Sequence, residues 1–345
     1  MSDGRKLRIA IVGLRHGSTY VPHVRRHART DLAALVDIDA RLLGDLSAAC
    51  GVPGFAGVAE MLAAGVADAA ILAVPTRYHA EASEACLDAG LHVLQEKPLC
   101  RNEDEARRIG RAVDRNAGRV FQVGFEMRSS PLHRAILDHI ARGDLGRVTN
   151  LWYHQHTNKD AGFAGTWRAQ RDEMGGMLFD CAVHTLDLMQ QWAGSRVCRL
   201  AAIGNVLGET GPCAEAVPLS AAIAMEYANG VRGTYNFGGC NQLHDDASFG
   251  VVGTTGRIMG TPWLPEKAGS YELRTHGGLR KGTLAFDGEL TSRGHLGFGE
   301  QFDSFVAACL AGGPNVCPFP DAYAVQRTMQ AIDRSLTSGE VVTLD

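Results

Sequence analysis

The feature of this sequence that most constrains its fold is the regular alternation of short apolar runs and helix-like segments before residue 126. The apolar runs are nearly continuous, which is typical of strands in a parallel sheet that is covered on both faces. They lie at 7–13, 32–37, 68–74, 92–96 and 119–125, with helix-like segments at 18–28, 40–50, 58–64, 77–89 and 103–117. This alternation predicts a doubly wound α/β domain.

The pattern changes after residue 125, so we predict two domains, 1–125 and 126–345. A chain of 345 residues exceeds the size at which one hydrophobic core usually keeps growing. The second part has long runs of alternating polarity, which are typical of an antiparallel sheet. We therefore expect an α+β domain with a mostly antiparallel open sheet. Its predicted elements are helices at 131–142, 299–311 and 320–337, and strands at 148–157, 199–208, 220–230 and 231–239.

Charge and composition argue against several kinds of partner. The net charge is −4, which gives no basic excess for binding nucleic acid. No apolar run approaches the roughly 20 residues that cross a bilayer, and the first residues lack the apolar core of a signal peptide. The nine cysteines include no Cys-x-x-Cys pair, which is typical of reduced thiols. We expect a cytoplasmic protein with no nucleic-acid or membrane partner.

The turn after the first strand, in "RIAIVGLRHGSTYV", partly matches the Gly-x-Gly-x-x-Gly fingerprint of dinucleotide-binding Rossmann domains. Gly13 takes the first glycine position, whereas Arg15 and Ser18 replace the second and third glycines, and Gly17 is additional. The alternative is a plain turn, for which a glycine after a strand is common. We interpret the turn, including His16, as a cofactor site in which the Arg15 side chain contacts phosphate.

The second strand ends at Asp37, in "LVDID". A carboxylate at this strand end hydrogen-bonds the ribose hydroxyls of an adenosine and repels a 2′-phosphate. Asp37 therefore favours NAD over NADP as the cofactor. The alternative is a solvated acid at the end of a strand.

The fourth predicted strand ends in "LQEKPL", where Glu96, Lys97 and Pro98 follow one another. Open α/β sheets bind their ligands at the carboxyl ends of their strands, so Lys97 is a candidate for a reactive site. The alternative is an ordinary strand end in solvent, where proline simply stops the strand.

A second candidate lies in "GGMLFDCAVHTLDLMQQWAG", residues 175–194, which we predict to be a helix. Asp180, His184 and Asp187 share one face of this helix because they follow one another at four and three positions. Most of their neighbours are apolar, so the face is buried and its polar groups need partners. Clustered titratable groups are typical of active sites, and structural satisfaction of these groups is the alternative.

Two further histidines, His154 and His156, alternate in a predicted strand and so point to the same side. They could join His184 and an acid as metal ligands, but the aspartate and histidine already fit a site without metal. We therefore predict no metal and interpret the two histidines as contacts for substrate hydroxyls. An exposed sheet face is the alternative.

Four motifs resemble the oxidoreductase family that contains glucose-fructose oxidoreductase and inositol dehydrogenase. They are "AVPTRYHAEASEACLDAGLHVLQEKPLCRNEDEARRI", "VGFEMRSSP", "GGMLFDCAVHTLDL" and "GTTGRI", and the resemblance covers essentially the whole chain. The Glu-Lys-Pro triplet followed by Asp-x-x-x-His is much more specific than a glycine turn. The chain departs from the family pattern in its turn glycines and at Arg77, where asparagine is usual.

The resemblance implies roles for particular residues. Lys97 would stand beside the nicotinamide and the substrate hydroxyl, and the Lys97–Pro98 peptide would be cis. Trp167 and Arg168 match a recurrent Trp-Arg of the family and would line the substrate pocket. Relatives commonly form dimers or tetramers through the open sheet. Further cofactor contacts are implied for Pro75, Thr76, His79, Glu96 and Arg128.

These observations predict an NAD-dependent dehydrogenase that oxidises a secondary hydroxyl of a sugar, a cyclitol or a sugar derivative. His184 suits the base that takes the hydroxyl proton, because imidazole titrates near neutrality. Lys97 would stabilise the developing alkoxide, and Asp180 would orient the site through hydrogen bonds. Two alternatives stay open: a glycosidase that uses transient oxidation by bound NAD, and a nucleotide-dependent sensor without catalysis.

Overall fold

The computed structural model describes residues 6–157, 166–170, 173–174, 177–205, 219–239, 246–262, 268–285 and 297–344. The chain divides into two compact units. One comprises Met1–Phe125 and Gly299–Tyr323, and the other comprises Glu126–Phe298 and Ala324–Asp345.

The early part of the chain alternates strands and helices, as predicted. The strands are β1 Leu7–Val12, β2 Thr30–Val36, β3 Gly54–Phe55, β4 Ala69–Leu72, β5 His92–Glu96 and β6 Phe121–Gly124. The helices are α1 Leu14–Gly17, α2 Val21–Arg26, α3 Ala40–Cys50, α4 Val58–Ala64, α5 His79–Asp88 and α6 Glu103–Arg115.

These strands form one sheet in the order β3-β2-β1-β4-β5-β6, in which every neighbouring pair is parallel. The sheet confirms the predicted doubly wound Rossmann architecture. Its strand order reverses between β1 and β4, and open α/β sheets bind ligands at the carboxyl ends of strands beside such a reversal. The carboxyl ends of β1, β2, β4 and β5 are therefore where a cofactor site is expected.

One predicted helix, at 18–28, differs from the structure. The chain after β1 forms the single turn α1, then a 3₁₀ turn at Ser18–Tyr20, and only then α2. Pro22 lies in the first turn of α2, where its missing N–H costs no intrahelical hydrogen bond. Proline thus favours a new helix start just before it.

The late segment Gly299–Tyr323 belongs to the first unit, whereas the sequence analysis assigned it to the second domain. The physical reason is packing against the first sheet and its helices. Asn315 Nδ2 donates a hydrogen bond to the backbone oxygen of Phe121 at 2.7 Å. The ring of Phe319 lies against Gly110 of α6, so closely that a Cβ on that glycine would come within 2.9 Å of it.

The later elements, in chain order, are as follows. The helices are α7 Pro131–Ala141, α8 Met177–Ala193, α9 Phe298–Ala311 and α10 Phe319–Ser338. The strands are β7 Val148–His156, β8 Val197–Asn205, β9 Ser220–Tyr227, β10 Arg232–Gly238, β11 Asp246–Gly253, β12 Gly256–Thr261, β13 Ala268–Thr275, β14 Gly278–Ala285 and β15 Val342–Thr343.

These strands form a second sheet in the order β14-β13-β12-β11-β7-β10-β9-β8-β15. The pair β7–β10 is parallel, and the other pairs are antiparallel. The sheet confirms the predicted mostly antiparallel second fold and adds β11 to β15, which the sequence analysis did not identify as strands. Residues 175–176 of the predicted helix and 206–208 of a predicted strand lie outside the described residues.

One face of the second sheet packs against α8. On β7 this face carries Leu151 and Tyr153, which are fully buried. Thr185 of α8 donates a hydrogen bond to Gln155 Oε1 at 3.0 Å, and Tyr235 of β10 donates to the same oxygen at 2.9 Å. These contacts fix the helix that carries Asp180 and His184 on the sheet.

Candidate active site

The turn after β1 is closely packed and needs glycine. Gly13 has a φ of +85°, and a Cβ there would lie 2.6 Å from the carbonyl oxygen of Ala73. A Cβ on Gly17 would lie 2.7 Å from Ile11 Cγ2. Gly13 thus lets the turn approach the chain that follows β4, and Gly17 lets it pack on β1, which gives the compact backbone cradle that suits a dinucleotide phosphate.

Arg15 and Ser18, which replace the usual glycines, leave this packing intact. The Arg15 side chain is 88% exposed, and its Nη2 lies 3.9 Å from Asp39 Oδ2. Ser18 is partly buried and begins the 3₁₀ turn. The contact between Arg15 and a cofactor phosphate stays a prediction, and the exposure of the side chain is compatible with it.

Asp37 ties the end of β2 to the glycine turn. Its Oδ2 accepts a hydrogen bond from the Leu14 backbone N–H at 2.6 Å, and its Oδ1 accepts one from the Asp39 N–H at 2.8 Å. A carboxylate has about four lone-pair sites, so acceptor capacity remains for ribose hydroxyls. The geometry therefore fits the role predicted for Asp37.

The segment after β4 differs from the prediction in the role of His79. Its Nδ1 lies 2.8 Å from the Pro98 carbonyl oxygen, and its Nε2 lies 3.0 Å from that of Val74. Burial lowers the pKa of His79 in spite of these two contacts. The ring is 1% exposed and holds two backbone segments together, so we assign it a structural role in place of the predicted cofactor contact. Pro75 and Thr76 precede it, and Thr76 is buried.

The end of β5 carries a buried carboxylate beside the candidate lysine. Tyr20 donates a hydrogen bond to Glu96 Oε1 at 2.8 Å, His16 Nε2 lies 3.3 Å from the same oxygen, and the Lys97 backbone N–H donates to Oε2 at 3.2 Å. Burial would raise the pKa of Glu96, but these contacts, with His16 foremost, outweigh it and lower the pKa to about 2. Glu96 is therefore an ionised anchor for this strand end.

Two further features shape the backbone at Lys97. The Lys97–Pro98 peptide is cis, as the family resemblance implies. Gln95 is fully buried, and its Nε2 donates to the Leu99 carbonyl oxygen at 2.8 Å, while its Oε1 accepts from Ser83 at 2.7 Å. The side chains of Gln95 and Glu96, which directly precede Lys97, thus hold the turn, and Lys97 itself is partly exposed.

The second unit carries the aspartate and histidine face on α8. Asp180 and Asp187 are 7% and 1% exposed, and the His184 side chain is 15% exposed. Asp187 accepts hydrogen bonds from Arg128 at both carboxylate oxygens. Arg128 thus pairs with Asp187, and its predicted contact with the cofactor stays a prediction. On the polar face of α8, Asp187 belongs to this ion pair, while His184 is a separate group.

A carboxylate that the sequence analysis did not single out lies beside His184. Glu126 Oε2 is 3.7 Å from His184 Nδ1, and the Glu126 side chain is 9% exposed. Glu126 begins a 3₁₀ turn, Glu126–Ser129, which packs against α8. Glu126 lies in "VGFEMRSSP", which resembles the family motif Gly-Phe-x-x-Arg-Phe-x-Pro. That motif leaves position 126 unspecified, so the sequence offered no signal for it.

His154 and His156 lie on the sheet face opposite the one that packs against α8. They are exposed, whereas Gln155 between them is buried and bonded to Thr185 of that helix. Alternation along β7 predicted that both histidines share a side, but not which side it is. They therefore lie on the face away from α8, which favours the alternative of an exposed sheet face, and their contact with substrate hydroxyls stays a prediction.

Trp167 and Arg168 form a short 3₁₀ turn that packs against α8. The Arg168 guanidinium lies over the Trp167 ring at 5.5 Å, a cation–π contact. Both side chains are partly exposed, so their predicted place in a substrate pocket stays a prediction.

Tyr20 is another functional candidate that the sequence analysis missed. Its contact with Glu96 joins residues far apart in the chain, and no local pattern marks a tyrosine in a turn as a partner for a strand end.

In the part of the chain that the structure describes, no group of three or more His, Cys, Asp or Glu side chains could hold a metal ion. Nor is any helix among the described residues long and apolar enough to span a membrane.

The chain matches two models of one protein family. Residues 7–125 match "Oxidoreductase family, NAD-binding Rossmann fold", and residues 133–259 match "GFO/IDH/MocA C-terminal domain". The chain therefore belongs to the GFO/IDH/MocA oxidoreductase family, and its first unit has the NAD-binding Rossmann fold of that family.

The chain matches its curated relatives over part of their length. The chain is 31% identical over 219 residues to 1,5-anhydro-D-fructose reductase of Ensifer adhaerens, which covers 60% of this chain and 61% of that protein. It is 29% identical over 198 residues to inositol 2-dehydrogenase of Corynebacterium glutamicum (strain ATCC 13032), with 56% of each chain covered. The chain thus spans less than two thirds of the length of these relatives.

A solved structure agrees over nearly the whole chain. GenD2 from gentamicin A biosynthesis, in complex with NAD, has a TM-score of 0.84 to this chain at 23% identity, and the match covers 99% of this chain and 97% of that one. At this identity the similarity establishes the fold.

Proposed function

We propose that this protein is an NAD-dependent dehydrogenase that reversibly oxidises a secondary hydroxyl of a sugar, a cyclitol or a sugar derivative. The family membership supports this, and so do the names of the two curated relatives, a reductase of 1,5-anhydro-D-fructose and a 2-dehydrogenase of inositol. The observation that carries the proposal is the anchored end of β5. There the buried Glu96 is bonded to Tyr20 and to the backbone of Lys97, next to the glycine turn.

The first unit fits NAD in its backbone and in its charges. The cradle at Gly13 and Gly17 is too tight for a Cβ, which suits close approach of a pyrophosphate. Asp37 would bind the adenosine ribose and disfavour NADP. When bound, NAD would supply the hydride acceptor. The other residues that we propose to line its site are Arg15, His16, Ser18, Pro75, Thr76 and Lys97.

Two side chains would act on the substrate hydroxyl, one by accepting its proton and the other by stabilising the charge on its oxygen. His184 would take the proton of the substrate hydroxyl, since a neutral imidazole is the usual base near neutral pH. Lys97 would stabilise the negative charge that develops on the same oxygen. Asp180 lies one helical turn before His184 and would orient the substrate through hydrogen bonds. In the reverse direction, protonated His184 would return the proton to the alkoxide.

The remaining proposals concern the whole molecule. We propose a homodimer or homotetramer formed through the exposed face of the second sheet, where Ile203 is 81% exposed and Ala222 and Ala224 are exposed as well. An apolar exposed face of this kind is typical of a protein interface. Sedimentation of a variant with Ala224→Arg tests the proposal, because a charge on a buried interface would dissociate the oligomer. The cytoplasmic location and the domain boundary after residue 125 stay predictions.

The function is tested by a screen of monosaccharides, inositols and sugar nucleotides with NAD and NADP in parallel. We expect at least one polyol to produce NADH absorbance, with NADP giving a lower kcat/KM. Cleavage of a glycoside without net NADH would replace the proposal by the glycosidase alternative. Absence of turnover with every class, together with NAD binding, would contradict a dehydrogenase.

The role of Lys97 is tested with the substrate found in that screen. Lys97→Ala is expected to bind NAD nearly as tightly as the parent, measured by calorimetry, but to lose about 100-fold or more in kcat. Lys281→Ala is the matched control, because Lys281 is 70% exposed and pairs with Glu272 on the second sheet. Equal turnover of Lys97→Ala and the control would overturn the assignment.

A further inference from the structure

We propose that Glu126 is a positioning residue for His184, so that a glutamate–histidine pair performs the proton transfer. The catalytic meaning of this pair rests on the proposed dehydrogenase function, whereas the pair itself rests on geometry within the second unit. Position 126 is unspecified in the family motif quoted above, so the inference comes from the contacts of this chain.

The contact selects one nitrogen of the imidazole. Glu126 Oε2 lies 3.7 Å from His184 Nδ1, and both side chains are largely buried. A carboxylate on the Nδ1 side favours the tautomer with its proton on Nδ1, which leaves Nε2 as the basic nitrogen. The separation is longer than a hydrogen bond. Catalytic hydrogen bonds are often long in ligand-free structures and shorten in the complex with substrate.

The turn that carries Glu126 is fixed on α8 independently of His184. Arg128, two residues along the same 3₁₀ turn, pairs with Asp187, which lies three residues beyond His184 on the helix. Gly297 packs on the other side of the turn, where a Cβ would come within 2.5 Å of Ser129 and 2.8 Å of the Glu126 carbonyl oxygen. The carboxylate of Glu126 is therefore held beside the ring and does not depend on that contact for its position.

The charges around His184 explain why a carboxylate is needed there. Proton transfer from a substrate hydroxyl makes the imidazole cationic in a largely buried place, which is unfavourable without a compensating charge. Asp187 is already paired with Arg128. Among the described residues, Glu126 is the carboxylate that lies beside the ring, and Asp180 stands one helical turn before His184. The other titratable groups on elements that pack against α8 are Arg168 on its 3₁₀ turn, Tyr153, His154, His156, Glu226, Tyr227, Arg232 and Tyr235 on the sheet, and His133, Arg134, Asp138 and His139 on α7. Of these, His154 and His156 lie on the opposite face of the sheet, and Glu226 pairs with Arg199 and Arg232.

Four of these other groups are neutral because they are buried. Burial raises the pKa of Tyr153, Tyr227 and Tyr235, so these tyrosines stay protonated. Burial, with a smaller effect of Arg128, lowers the pKa of His133 to about 3, and Trp192 Nε1 donates to its Nδ1 at 2.9 Å. Among the described residues, Glu126 is therefore the carboxylate placed to balance the cation on His184, because its Oε2 lies 3.7 Å from Nδ1.

The pair is tested first by NMR, without cofactor or substrate. In protein labelled at the histidine rings, the His184 signals are assigned by their loss in His184→Gln. We expect the neutral ring of the unmodified protein to carry its proton on Nδ1, read from its nitrogen shifts. We also expect the titration midpoint of His184 to fall by about one pH unit or more in Glu126→Gln, because an opposite charge within about 4–6 Å favours the charged ring.

Two NMR results would contradict the proposal. A proton on Nε2 in the neutral ring, or an unchanged midpoint in Glu126→Gln, would overturn the proposal. Glu226→Gln is the matched control, since Glu226 lies in the same unit and pairs with Arg199, and it should leave the midpoint unchanged. The tautomer is read from the parent protein, so the proposal stays testable even when Glu126→Gln fails to fold.

Kinetics then tests the consequence for the reaction. In Glu126→Gln the acid limb of kcat/KM for alcohol oxidation should move to lower pH, and the maximal kcat should fall by about 10- to 100-fold. A purely structural role would change protein yield or stability without moving the acid limb. Failure to find any oxidised substrate would count against the proposed function, whereas the NMR result would still decide the Glu126–His184 pair.

Discussion

Arg128 and Asp187 form a buried ion pair with two hydrogen bonds, from Nε to Oδ2 at 2.7 Å and from Nη2 to Oδ1 at 2.5 Å. Their side chains are 5% and 1% exposed. The pair joins the 3₁₀ turn after β6 to the middle of α8. One of the two acids on the candidate catalytic face of that helix therefore has a structural role.

The first prediction concerns the stability of this pair. Arg128→Ala removes a bidentate partner from the charged and buried Asp187 carboxylate, so we expect the free energy of unfolding to fall by about 3–5 kcal/mol. Arg199→Ala is the control. It removes an exposed ion pair with Glu226 and should lower the free energy of unfolding by only about 0–1 kcal/mol. Urea unfolding of both variants measures the difference. Equal losses would show that the buried pair contributes no more than a surface pair.

The second prediction concerns the pH dependence of Glu96. Its pKa falls from the ordinary 4.5 to about 2 in the folded protein, so its ionisation stabilises the fold above pH 4.5 and this stability is lost as the pH falls through 2. Tyr20→Phe removes one hydrogen bond to the carboxylate and should lower the free energy of unfolding at pH 7 by about 1–3 kcal/mol.

The measurement is urea unfolding of the parent and Tyr20→Phe between pH 7 and pH 2.5. The stability difference should shrink towards the acid end, because loss of the Tyr20 hydrogen bond raises the pKa of Glu96 in the folded variant. The variant then takes up a proton at a pH where Glu96 of the parent, with its pKa of about 2, is still mostly ionised. Thr149→Val is the control, because it removes an exposed hydroxyl that is bonded to the Val252 carbonyl. The difference in free energy of unfolding between this variant and the parent should not vary with pH. A constant difference for Tyr20→Phe would contradict the role of the Glu96 charge.

The fold was largely predictable because burial on both faces of a parallel strand leaves a continuous apolar run. Residues such as Ile9, Ile71 and Val93 are fully buried and carry that signal. The strands β12 and β14 were missed because they contain glycine and mixed polar residues, as in "GRIMGT" and "GLRKGTLA". Their pairing depends on strands elsewhere in the sheet, which no local pattern encodes.

The candidate site was only partly predictable for a related reason. Lys97 and His184 stand in compact motifs, so local sequence identifies them. Tyr20, which bonds Glu96 beside Lys97, and Glu126, which lies beside His184, are distant in the chain from these partners and become their neighbours only through the tertiary fold. Likewise, Arg128 was recognisable as a motif residue, but its pairing with Asp187 followed only from the packing of the turn on α8.

The third prediction concerns the glycine turn. Gly13→Ala should destabilise the protein and abolish NAD binding, because its Cβ would approach the Ala73 carbonyl oxygen to 2.6 Å at a φ of +85°. Gly51→Ala is the matched control: its φ is also positive, at +69°, but no atom lies within 4 Å of the added Cβ. In the control, backbone strain alone should lower the free energy of unfolding, by about 1–2 kcal/mol, and NAD binding should be retained. Thermal unfolding and calorimetry with NAD measure both, and NAD binding by Gly13→Ala equal to that of the control would contradict the cradle.

The fourth prediction concerns His154 and His156. Both are exposed on the sheet face opposite Gln155, which bonds Thr185 on α8, and Trp152 lies beside His154 with ring centroids 4.9 Å apart. Because this face is the one turned away from α8, neither imidazole should take part in the proton transfer assigned to His184.

The double variant His154→Ala and His156→Ala should therefore keep its kcat within about threefold of the parent, as expected for surface substitutions away from a site. His184→Ala should lose about 100-fold or more, because it removes the proposed base. Steady-state kinetics with one polyol substrate compares the two at a concentration where sedimentation shows the same oligomer. A loss in the double variant as large as that in His184→Ala would mean that the exposed sheet face contributes to the reaction, most simply through contact with a second copy of the chain.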